Sequence, residues 1–71
     1  MGKRELKHPP YKHFEAYQTL ANVSDQELET ALGLTRRTIK DKIKGYYDFS
    51  PAEGIVISSL FNQPLDKIFY T

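Results

Sequence analysis

Apolar positions recur along this chain at steps of three and four, with turn residues between the periods. From Tyr11 the residues Phe14, Tyr17, Leu20 and Ala21 form one face of a first helix ending near Asn22. Ser24 is an N-cap, and Glu27 three residues on completes a capping box. Leu28, Ala31 and Leu32 give the second helix its buried face, and Gly33 supplies the left-handed backbone at its end. Thr35 caps a third helix held by Ile39 and Ile43, four apart, and closed by Gly45. A short aromatic linker, Tyr46-Tyr47-Asp48-Phe49, leads to a second capping box, Ser50-Pro51-Ala52-Glu53, with proline at the first helical position. Ile55, Val56, Ile57, Leu60 and Phe61 make the fourth helix apolar over a wide arc, which predicts a central position. Gln63-Pro64 restarts a last short helix with Leu65, Ile68 and Phe69. The expectation is an all-α, compact five-helix bundle over residues 11–71. Residues 1–10 end in Pro9-Pro10 and read as a basic, flexible, extended arm.

Composition narrows the classes of function. A 71-residue chain buries only about 60% of its unfolded surface, so its nine aromatic residues must supply much of the core. It has no cysteine, which excludes disulfides and thiolate metal sites and points to a reducing, cytoplasmic location. The first twenty residues hold no apolar run of the signal-peptide kind, and no segment approaches the roughly 18 apolar residues of a membrane span. The sequence offers no glycine-rich phosphate loop and no nucleophile beside a base. His8 and His13 lack the third and fourth ligands that zinc requires. No enzyme, cofactor, metal or small-molecule substrate is expected.

Charge adds the decisive detail. The net charge is only +1, but it is unevenly spread. Residues 1–13 hold four cations and Glu5, residues 14–34 hold four carboxylates and no Lys or Arg, and residues 35–44 hold five cations and Asp41. Two helices around a glycine turn, the second cationic, make the pattern of a helix-turn-helix.

The order of pieces resembles the Cro-like and repressor-like DNA-binding domains of temperate phages, the lambda repressor-like fold. The matching residues are Leu28, Ala31, Gly33, Leu34, Thr35, Ile39 and Gly45, then the helix opened by Ser50-Pro51 and the closing Leu65-Asp66-Lys67-Ile68-Phe69. The likeness covers about residues 11–70. It looks closest to very short Cro-type proteins of phages infecting Gram-positive hosts, where a glycine, a buried aromatic (here Phe49) and an acidic residue (here Glu53) follow the recognition helix. Two positions depart from that pattern. Glu29 stands where the family has a small residue, and Asp25 stands where it favours a phosphate-binding glutamine. A contact from Glu29 to a cation of the third helix accounts for the first.

The resemblance implies a regulator of the lysis–lysogeny switch in a bacterial host, with two candidate partners. In the first reading the third helix enters the major groove of operator DNA, the protein binding as a dimer. Thr35, Arg36, Arg37, Thr38 and Asp41 then face base edges, and Lys40 and Lys44 bind phosphates. In the second, the protein is an antirepressor or co-repressor that binds the partner repressor. The acidic block Asp25, Glu27 and Glu29 beside the cationic helix fits a repressor's positive DNA-reading face. Lys3, Arg4 and Lys7 are candidate arm contacts to a groove or phosphate track. Lys42 stands where the family often has an aliphatic residue. Its stem is expected to snorkel over the core edge, without a functional role. Of the adjacent Tyr46 and Tyr47, one is expected at the surface, where an aromatic favours an interface. Any self-association must use the bundle itself, through these tyrosines or the last helix.

Overall fold

A computed structural model describes residues 5–69. Five helices follow in order: α1 Phe14–Leu20, α2 Asp25–Leu32, α3 Arg36–Lys44, α4 Pro51–Phe61 and α5 Leu65–Phe69. No strand occurs among the described residues, and none of their helices is long and apolar enough to cross a membrane. Lys3, Arg4 and Tyr70 lie outside the described residues.

Local chemistry sets the helix ends. Ser24 accepts from the Glu27 N–H at 3.1 Å while its own N–H donates to the Glu27 carboxylate at 3.4 Å. Ser50 and Glu53 repeat the exchange at 3.1 and 2.9 Å. Thr35 caps α3 by accepting from the Thr38 N–H at 3.3 Å. Gly33 ends α2 at φ +68°, a left-handed backbone that costs glycine little.

The core is Phe14, Val23, Leu28, Ile39, Ile43, Ile57, Phe61 and Ile68. Phe14 is fully buried and organises the aromatic side of it, 5.8 Å from the Phe49 ring and 5.1 Å from Phe61. Tyr11 and Phe69 join edge to face at 4.8 Å. Helix α4 packs on α1, α2 and α5.

Three residues expected inside are outside. Leu20 is 78% exposed. At about 100° per residue, the direction set by buried Phe14 and Gln18 leaves Leu20 about 140° off the core. Ala31 is exposed because α2 leans the other way, half-burying Asp25, Glu29 and Leu32. Ile55 is 64% exposed, since Gly54, Ile57 and Phe61 take the inner arc of α4. The first helix is also shorter than its apolar period: Asn22 at φ +57° ends it, and Tyr11 instead donates its N–H to the Ile43 carbonyl at 3.0 Å.

Candidate partner-binding face

Helix α3 has two buried residues, Ile39 and Ile43, and they fix which way the rest of it points. The wheel about them divides its polar residues into three groups. Arg36 and Lys40 lie on the flank toward α1 and α2. Arg37, Asp41 and Lys44 form the crest, opposite the core. Thr38 and Lys42 lie on the flank toward the residue 46–53 linker.

On the first flank the cations are spent on carboxylates. The Arg36 Nε sits 3.7 Å from Asp25 and 3.8 Å from Glu29. Lys40 reaches Glu15 of α1 at 3.9 Å. Asp25 also accepts from the amide of Gln18 at 2.9 Å, and Gln18 is buried. That hydrogen bond is the main reason the Asp25 carboxyl is held below its ordinary pKa; burial opposes it, and the nearby Lys40 and Arg36 charges add to the lowering. These pairs are partly exposed, so each contributes little to stability. Their effect is on the field outside: they cancel cationic charge on this side of the helix.

On the other flank Lys42 bonds the Glu53 carboxylate at 2.9 Å and the Asp48 carbonyl at 3.2 Å, with its ammonium 5.5 Å over the Phe49 ring. Burial pushes the Glu53 carboxyl up, but the Lys42 ammonium and the Ser50 N–H outweigh it and hold the group below its ordinary pKa. Lys42 thus snorkels to a specific partner in the α4 capping box and ties α3 to it.

The C-terminus of α3 is sealed by the N-terminal segment. Lys7 donates its N–H to the Gly45 carbonyl at 2.7 Å, and the Tyr11 N–H meets that of Ile43. The His8 ring stacks on Tyr11 at 4.1 Å, and its Nε2 lies 3.0 Å from the Tyr47 carbonyl. These donors occupy carbonyls that a helix end otherwise leaves unpaired. Gly45 has φ +109°, and a Cβ there would run into the His8 carbonyl. The close approach fixes Lys7 beside α3, where Lys7, Arg37, Thr38, Tyr47 and Asp48 help line a cleft of about 680 Å³.

The candidates therefore separate. Arg37, Asp41, Lys44 and Lys7 face outward or line the cleft. Arg36 and Lys40 are turned sideways into ion pairs, and the Thr35 hydroxyl is engaged in the cap, 2.9 Å from that of Thr38. In the acidic block, Asp25 and Glu29 turn toward α3. Glu27 closes its capping box and lines a separate depression with Thr30, Ala31 and Leu60. No protein-family model and no curated protein matches the chain. Sequence reasoning did not find Glu15, Gln18 or the Lys42–Glu53 bond. For the last a signal existed: a lysine in place of an aliphatic residue calls for a carboxylate, and Glu53 is fixed by its box. Tyr47, 46% exposed beside the cleft, is the outward member of its pair.

Proposed function

We propose that this chain is a small transcriptional regulator of the phage-switch type. Its α2–turn–α3 unit is read as a helix-turn-helix whose docking partner is a protein, the DNA-reading face of the repressor it works with. One observation carries the choice of partner: Arg36 lies against Asp25 and Glu29, and Lys40 against Glu15. Residues 15–53, which span this unit, hold five cations and seven carboxylates. A phosphate track is uniformly negative, and binding it draws on a net positive face. A face with both signs instead suits a basic protein surface, where complementary charges set orientation and exclude wrong partners.

Operator DNA is the second reading, favoured by Arg37 and Lys44. Both are exposed, and neither makes an ion pair with another described residue. One titration separates the two. The purified chain is added to labelled switch-region DNA and, separately, to the repressor encoded with it, at low salt. Repressor binding with no DNA complex at tens of micromolar supports the proposal. A salt-sensitive DNA complex with no repressor complex refutes it. Arg37→Glu with Lys44→Glu abolishes repressor binding if the α3 crest is the contact.

A further inference from the structure

Among the described residues, Gln18 is the only polar side chain that is buried. A buried amide is costly unless its hydrogen bonds are made, and this one is made to a carboxylate nearer the surface. The Gln18 Nε2 donates to the Asp25 Oδ1 at 2.9 Å, and the other oxygen of that group, Oδ2, lies 3.7 Å from the Arg36 Nε. Asp25 is thereby held from inside the bundle and aimed at α3. Glu29, one turn further along the same face of α2, meets the same nitrogen at 3.8 Å, and Glu15 of α1 meets the Lys40 ammonium at 3.9 Å. These separations exceed hydrogen-bond length, so the carboxylates act on the cations through charge. The Arg36 side chain is 57% exposed even in its pair, covered by opposite charge and not by protein.

We infer that Glu15, Asp25 and Glu29 are specificity determinants that bar nucleic acid from a helix otherwise equipped to bind it. The inference rests on the protein-partner reading above and deepens it. With these three carboxylates neutral, Arg36 and Lys40 join the exposed Arg37 and Lys44, and α3 offers a phosphate track four cations in place of two. Each phosphate neutralised releases about one counterion, so the two added cations change how firmly a polyanion is held. The fold does not depend on the three carboxylates. Partly exposed pairs contribute little stability, and α2 keeps its cap through Ser24 and Glu27. Their placement around two cations of α3 therefore has its physical effect in what binds there.

The test follows binding of a short labelled DNA duplex of mixed sequence to the intact chain by fluorescence anisotropy, with circular dichroism to confirm the fold. Asp25→Asn with Glu29→Gln frees Arg36 at constant shape. This variant binds the duplex about tenfold more tightly than the unchanged chain at about 50 mM salt, and its log–log salt slope is steeper by about 0.9. Glu15→Gln, on an exposed side chain of a different helix, frees Lys40 and steepens the slope by about as much by itself, so the inference does not hang on the folding of one variant. Asp66→Lys makes the same change of net charge as the α2 pair but on exposed α5, and leaves DNA binding within about twofold of the unchanged chain. Arg36→Gln added to the α2 pair removes its gain. Folded variants without a gain, an equal gain from Asp66→Lys, or a gain that survives Arg36→Gln overturns the inference. The parent reading is decided on the unchanged chain, by whether it binds the repressor. An unchanged chain that binds the repressor, with variants that gain no DNA binding, refutes the determinants alone.

Discussion

Replacing Lys42 by alanine probes the bond between α3 and the α4 cap. The two side chains are 14% and 18% exposed and 2.9 Å apart, so the pair sits near the buried end of the range. Exposed pairs contribute about 0.2–1 kcal/mol, and breaking a fully buried one costs about 3–5 kcal/mol. This geometry places the loss at about 2 kcal/mol. Losing the donor to the Asp48 carbonyl and the cation over Phe49 adds about 0.5–1 kcal/mol. The Ser50 N–H, 2.9 Å from the Glu53 carboxylate, limits the damage by keeping one partner in place. The sum, about 2–3 kcal/mol, is large against the roughly 4–10 kcal/mol of a domain this size. It lowers Tm by about 10–20 °C. Urea unfolding followed by circular dichroism at 222 nm measures the loss, and a double-mutant cycle with Glu53→Gln isolates the pair, with a coupling of at least about 1 kcal/mol. A loss under about 0.5 kcal/mol, or additive single effects, refutes the argument. Because Lys42 lies off the crest, the repressor binding proposed above stays unchanged per folded molecule.

Other outcomes follow from the same geometry. Gly45→Ala forces a side chain into a left-handed backbone against the His8 carbonyl, costing about 2 kcal/mol or more, read as a Tm loss with increased amide exchange at Lys7 and Tyr11. Leu28→Ala empties a core site and costs about 2–5 kcal/mol, whereas Leu20→Ala, on the exposed side of α1, changes stability by less than about 0.5 kcal/mol; comparable losses contradict the burial pattern. Asp25 and Glu53 bind protons less readily in the folded protein than in the unfolded chain, so the unfolded state gains protons first as pH falls. Their stabilisation is complete above about pH 4–4.5 and drains away as pH drops through the lowered folded values, so Tm falls from pH 6 to 3, and Asp25→Asn or Glu53→Gln flattens that slope.

Sequence carried the helix ends well because their chemistry is local. Ser24 with Glu27, Ser50 with Glu53, Thr35, Gly33 and Gly45 each act within a few residues, and each stands at the boundary of a helix. Which arc of a helix faces inward was less legible. An apolar residue such as Leu20 or Ile55 belongs to the apparent stripe, but neighbouring helices choose the arc, and they chose Gln18 and Gly54 instead. On α3, the position of the cations was legible and their ion pairing was not. That α3 carries cations is plain; that Arg36 and Lys40 spend theirs on α1 and α2 depends on how these helices pack. The approach of His8 to Gly45 joins residues 37 apart in sequence, and only the left-handed glycine hinted at it.

A single nine-residue helix here does three separate jobs, and the wheel keeps them apart. One side holds the fold through Ile39, Ile43 and the Lys42–Glu53 bond. A second cancels Arg36 and Lys40 against neighbouring carboxylates, costing attraction to polyanions while adding little stability. Under the proposed function, the exposed Arg37 and Lys44 are what this helix offers a partner. The physical consequence is a modest salt dependence. A few opposed charge pairs with the proposed protein partner carry only a fraction of the counterion release of a DNA complex with six to ten phosphate contacts. A salt slope for the working complex as steep as that of a DNA complex contradicts the division of labour read from α3.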